Sequence, residues 1–236
     1  MKPLVVVTGA SQGIGRAVAS AFAAEGHPLL LVARHPETPD CVGEHIRQAA
    51  VDVADFAALE AAIRAAEAVY GPSEYLVNNA GLLRIGALES RDAAAMSYEV
   101  DVLLKGVLHG IRAVLPQMVA RSGGTIVNLS SIADRTAGPG GEVYHACKAA
   151  VRSLAMSLQK AEAVHNVRVI NVAPGFVRTN IHAEMGISFE EYCRRLGNPE
   201  FITAEELAEI ILFCCKLPQR VCVRDIVVMP TSSDFG

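Results

Sequence analysis

The run Thr8-Gly9-Ala10-Ser11-Gln12-Gly13-Ile14-Gly15 constrains this chain more than any other. It joins an apolar, β-branched stretch, Leu4–Thr8, to an alanine-rich stretch of helical character over Ile14–Glu25, and a second apolar run follows at Leu29–Val32. This is a β-α-β opening with three glycines at its first strand–helix junction. Glycine there permits a tight turn, brings backbone close to a pyrophosphate and seats the helix against the sheet. The helix N-terminus adds unpaired N–H groups and the positive end of a dipole. Gly9, Ser11, Gln12, Gly13, Ile14 and Gly15 are therefore expected to bind a dinucleotide.

The alternation continues along the chain. Strands are predicted at Ala49–Val53, Tyr75–Asn78, Thr125–Leu129, Val167–Val172 and Ile226–Met229, and helices at Ala57–Val69, Asp92–Arg121, Glu142–Ala163 and Ala204–Lys216. The strand runs are apolar almost throughout, as when helices bury both faces of a parallel sheet. The expected fold is α/β, a Rossmann-type doubly wound parallel sheet of about seven strands with helices on both faces. Pro36, Pro39 and Gly43 predict a short turn or loop, not a full helix, in the second crossover. No compositional break or repeat divides the 236 residues, so 1–236 reads as a single domain.

A net charge of −4 with intermixed signs leaves no basic footprint for nucleic acid or an anionic membrane, and small molecules are the expected partners. Lys2 and Pro3 precede the first strand directly, leaving no room for a signal peptide, and no run approaches the ~18 apolar residues of a membrane span. The cysteines lack C-x-x-C spacing and read as reduced thiols of a cytoplasmic protein; the histidines form no H-x-x-x-H pair, so no metal is expected. Helix Glu142–Ala163 is apolar almost all round its middle, through Val143, Ala146, Ala149, Ala150, Leu154, Ala155, Met156 and Leu158. One sheet cannot cover every side of it, which predicts a homodimer or homotetramer; an internal helix–helix contact is the alternative.

Where a site for NAD usually places an acid, at the end of the second strand, stand Ala33, Arg34 and His35. Arg34 offers a planar fork of donors to a 2′-phosphate, which favours NADP. Tyr144 and Lys148 lie four apart near a helix start and so share a face. A tyrosine with a pKa of ~10 needs a neighbouring cation to exchange protons near neutrality, and Lys148 is that cation. Ser131 follows the C-terminal end of strand Thr125–Leu129, the edge at which open parallel sheets bind ligands. It is placed to hydrogen-bond a substrate oxygen; no G-x-S-x-G elbow supports a nucleophilic serine.

Taken together, Thr8–Gly15, Asn78-Asn79-Ala80-Gly81, Ser131, Tyr144-x-x-x-Lys148 and Pro174-Gly175 resemble the single-domain short-chain dehydrogenase/reductase family over essentially the whole chain. The resemblance implies hydride transfer between NADP and a small carbonyl or alcohol substrate. It implies that Asp52 and Val53 border the adenine, that Asn79, Ala80 and Gly81 line the cofactor cleft, and that Pro174, Gly175, Val177 and Thr179 reach the nicotinamide end. Tyr144 would be the general acid/base, Ser131 the substrate anchor, and Lys148 also a ribose ligand.

One position departs from the family pattern. An asparagine three residues before a glycine in the long helix is replaced by Leu103, before Gly106. The family uses that asparagine to shape the helix and hold a water in a proton relay, and leucine has no group for either task. A weakly active or inactive NADP(H)-binding sensor or scaffold is therefore the alternative reading. An epimerase or dehydratase needs a second substrate domain for which this chain is too short. The run Val223–Thr231 is similar to a subgroup containing hydroxy-acid, clavulanate-type and sepiapterin-type reductases. Substrate choice is expected to lie in a lid at about 180–203, with His182, Met185, Phe189, Tyr192, Arg194 and Arg195; Asp134, Arg135 and Glu142 suggest a polar pocket wall.

Overall fold

Strands β1 (Leu4–Thr8) and β2 (Leu29–Ala33) are buried along their full length, the result of five consecutive apolar or β-branched residues pressed between two helical layers. Helix α1 (Gly13–Ala24) connects them. The computed structural model describes residues 2–35 and 44–233, with backbone alone at 183 and 184, so the predicted turn around Pro36, Pro39 and Gly43 lies outside the described residues. The remaining elements are β3 (Ile46–Ala50), α2 (Phe56–Tyr70), β4 (Ser73–Asn78), α3 (Ala93–Val100), α4 (Gly106–Ala120), β5 (Gly124–Leu129), α5 (Glu142–Ala161), β6 (Val167–Pro174), α6 (Phe189–Arg195), α7 (Ala204–Lys216) and β7 (Asp225–Val228).

All seven strands run parallel in the order β3-β2-β1-β4-β5-β6-β7. The order reverses between β1 and β4, and their C-terminal ends open a crevice where a ligand can enter. The Rossmann-type expectation holds. Leu59, Ile63, Ile111, Val114 and Val151 build the core on one face, Val18, Phe22, Leu207 and Ile211 that on the other.

Two departures from the sequence reading have clear causes. Strand β3 begins three residues before the predicted Ala49, because it is a sheet edge paired only with β2, and its exposed Arg47 and Gln48 break the apolar pattern of the inner strands. The predicted helix Asp92–Arg121 is continuous from Ala93 to Ala120 but contains a π-helical turn at Asp101–Lys105 between α3 and α4. By length and mean hydropathy this helix passes for one that crosses a membrane, but Lys105 and Arg112 interrupt its apolar run, half of its apolar window is buried, and α4 packs on α2 and β4.

Candidate active site

The turn after β1 is shaped by what it must not contain. Gly9 has φ +64, and a Cβ there would lie 2.7 Å from the Ala80 Cα; Gly13 has φ +54 beside Thr179. Asn79 holds the turn in place, its Nδ2 donating to the carbonyls of Thr8 and Gly9 at 3.0 Å each, while Thr8 Oγ1 accepts from the N–H groups of Asn79 and Ala80. The N-cap of α1, Gln12, makes no side-chain cap, so its first-turn N–H groups are left for another acceptor. A glycine cradle facing an uncapped helix start fits a dinucleotide pyrophosphate. Gly15 alone among the predicted cofactor-binding residues does not line the cleft: a Cβ there would collide with the Gly9 carbonyl, so its role is close helix–turn packing.

The cleft, of about 490 Å³, runs from this turn in both directions. One way it passes Asp52, Val53, Arg34 and His35. Here lies a residue the sequence reading missed, Tyr98 of α3, whose hydroxyl donates to Asp52 Oδ2 at 2.5 Å and accepts from Arg34 Nη1 at 3.3 Å. Nothing in its local sequence marks it, since its partners come from loops after β2 and β3.

The other way leads past Asn79, Ala80 and Gly81 to Ser131, Tyr144 and Lys148, with Pro174, Gly175, Val177 and Thr179 on the opposite wall. Ser131 caps a short 3-10 turn, Ile132–Asp134, its Oγ accepting from the Ala133 N–H at 3.2 Å. Tyr144 and Lys148 stand one turn apart in α5, and Lys148 Nζ lies 5.6 Å from the Tyr144 ring centroid while donating to the Leu129 carbonyl at 2.7 Å. Burial pushes Tyr144 up to about 12, and a hydrogen bond from Ser131 pulls the other way. Burial brings Lys148 down to about 8. The expected lowering of Tyr144 is therefore not found, because loss of solvent outweighs the hydrogen bond. At neutral pH the tyrosine is an acid and the lysine is largely a cation.

Behind Ser131 lies a polar clasp. Asp134, 6 % exposed, accepts from Ser130 Oγ at 2.7 Å, Asn171 Nδ2 at 3.0 Å and Arg135 Nε at 2.6 Å. Arg135 and Asn171 also reach Asp225 of β7 at 3.0 and 2.9 Å, and Arg152 of α5 stands 3.5 Å from the same carboxylate. The serine turn, β6, β7 and the tyrosine helix are thus joined by one network. The predicted polar pocket wall is corrected: Asp134 and Arg135 turn inward to this clasp and Glu142 accepts from the Gly140 N–H, so none of them lines the cleft. Arg194 and Arg195 are likewise exposed and paired with Glu190 and Glu191 of their own helix. Of the 180–203 segment, Asn180, Ile181 and Tyr192 line the cleft.

Leu103 is fully buried within the π turn, its Cδ2 3.3 Å from where a Cβ on Gly81 would stand. An apolar side chain fills the space beside the lysine at this position.

Residues 3–187 match the family described as short chain dehydrogenase. The chain is 32 % identical over 241 residues to the NADP-dependent 3-hydroxy acid dehydrogenase YdfG of Salmonella typhi, covering 99 % of this chain and 97 % of that one. It is 38 % identical over 202 residues to the oxidoreductase UcpA of Escherichia coli K12, covering 83 % and 74 %. Among solved structures, the closed form of a serine dehydrogenase complexed with NADP+ superposes with TM-score 0.91 at 30 % identity, over 98 % of this chain and 96 % of that one.

Proposed function

The chain belongs to the short-chain dehydrogenase family, and from that premise we propose that it is an NADP-dependent oxidoreductase acting on a small carbonyl or alcohol by a Ser-Tyr-Lys mechanism. One observation carries the reading: Ser131, Tyr144 and Lys148 converge at the C-terminal edge of β5, in the same cleft as the glycine turn. Gly9, Ser11, Gln12, Gly13 and Ile14 hold the pyrophosphate, Arg34 the 2′-phosphate, Asp52 and Val53 the adenine side, and Lys148 the nicotinamide ribose. The bound nicotinamide supplies or accepts the hydride.

In the reducing direction Ser131 donates to the carbonyl oxygen and holds it against Tyr144. As the hydride reaches the carbon, Tyr144 gives its proton to the oxygen, and the ammonium of Lys148 stabilises the phenolate left behind. Oxidation runs these steps backwards. The assembled trio favours turnover over a sensing or scaffolding role. Leu103 slows re-protonation of Tyr144 without preventing it, because a backbone carbonyl of the π turn can hold the relay water.

The same reading takes 180–203 as a lid on a single domain and places the enzyme in the cytoplasm, in keeping with the unbridged Cys147, Cys193, Cys214, Cys215 and Cys222. It takes the assembly as a homodimer or homotetramer, supported by exposed Ala146, Ala149 and Met156 on α5 and Leu108 on α4. The test is NADPH and NADH consumption against ketones, keto-acids, diketones and pterins, with Tyr144→Phe as control. NADPH-linked turnover that falls about 10²–10⁴-fold in the control is the expected result. Tight NADPH binding without turnover across the panel would reinstate the sensor.

A further inference from the structure

The chamber beside Ser131 and Tyr144 is walled largely by Leu82, Leu83, Ile132, Phe176, Ile181 and Tyr192, with Asn180 as a neutral polar residue of the same lining. Lys148 is the one cation that lines this end among the described residues, which include every Lys and Arg of the chain. It is 5 % exposed, held by the Leu129 carbonyl and placed beside the tyrosine ring. None of the other cations of the surrounding loops lines this end of the cleft; Arg84, next to Leu83, donates to the Ala95 carbonyl at 3.4 Å. Arg135 is bound to Asp134 and Asp225, and Arg178 lies over the Phe189 ring at 5.4 Å. Arg91 pairs with buried Glu99, and Arg194 and Arg195 pair with glutamates on the outer face of α6.

A carboxylate entering such a chamber gives up its water for hydroxyl and amide groups alone, because Lys148 is already held by the Leu129 carbonyl and no second cation lines this end, a heavy penalty in a largely apolar enclosure. A ketone, aldehyde or ester presents its reacting oxygen to the two hydroxyls and otherwise needs only apolar contact. We infer that the substrate is an uncharged carbonyl compound, or the corresponding alcohol, with an apolar body, and that this site discriminates against carboxylates. This rests on the reductase reading, and it sets the chain apart from relatives named for a 3-hydroxy acid and for serine, both of which carry a carboxylate.

The test uses a matched pair with one reacting ketone, ethyl acetoacetate and acetoacetate, reduced by the wild-type enzyme with NADPH. The ester is expected to exceed the acid in kcat/KM by about 100-fold or more, the scale on which a pocket rejects an unpaired charged or polar group. Equal or better reduction of the acid overturns the inference while leaving the reductase intact. If neither ketone is reduced, the reductase reading is left to the wider substrate panel, and the pocket is judged by quenching of bound NADPH fluorescence with acetoacetamide and with acetoacetate. Binding of the amide alone upholds the uncharged preference; equal or tighter binding of the anion overturns it.

Discussion

The two ends of the cleft are made of different material. At the phosphate end the contact surface is backbone: two glycines at positive φ, an uncapped helix start, and Asn79 bracing the turn from behind. At the catalytic end it is side chains brought from the 3-10 turn after β5, from α5, from the loop after β4 and from α6. A backbone site needs consecutive residues, so it is written in one stretch of sequence; a side-chain site needs only the topology to deliver its parts. Damage should therefore show as lost affinity at the first end and as altered turnover at the second.

The largest expected effect is at the phosphate end. Gly9→Ala must place a methyl 2.7 Å from the Ala80 Cα at φ +64, and should weaken NADPH by about 100-fold or more in a fluorescence titration. Undiminished affinity would break the backbone account. Next comes Arg34→Ala, expected to weaken NADPH by about 10–100-fold, the worth of a charge-assisted hydrogen bond, with NADH unaffected. Equal losses for both cofactors would remove the 2′-phosphate assignment.

At the catalytic end pH is the sharper tool. Below about 8 Lys148 carries its charge, whereas Tyr144 keeps its proton up to about 12. As pH rises through about 8 the acid persists but the cation that stabilises its phenolate is lost. Reductive kcat/KM, measured at saturating NADPH, should then decline toward about tenfold per pH unit; a level profile through that range would mean that Lys148 acts without its charge. The smallest effect is Leu103→Asn, which should raise kcat several-fold with NADPH affinity unchanged. A constant kcat would show that the relay does not depend on this side chain.

The same contrast decides how much could be read from the sequence. The glycine turn, Ser131 and the Tyr144–Lys148 pair were legible because each is a local spacing next to a strand or helix end. Strand β3 was displaced because edge exposure replaces apolar residues with Arg47 and Gln48. Tyr98 and the clasp stayed hidden for another reason: Asp134 meets Asn171, and Asn171 meets Asp225, only through the adjacency of β5, β6 and β7. The pairing of Arg194 and Arg195, by contrast, was available in the sequence, since Glu190 and Glu191 precede them at helical spacing.

The central claim, hydride transfer to a carbonyl carbon with Tyr144 as the proton donor, is tested most directly with NADPH deuterated at the transferring position of the nicotinamide and ethyl acetoacetate as acceptor, with the alcohol product analysed by mass spectrometry. The account predicts one deuterium on the carbinol carbon, delivered to a single face, and its loss together with turnover in Tyr144→Phe. Unlabelled alcohol, or labelling undiminished in the variant, would contradict it.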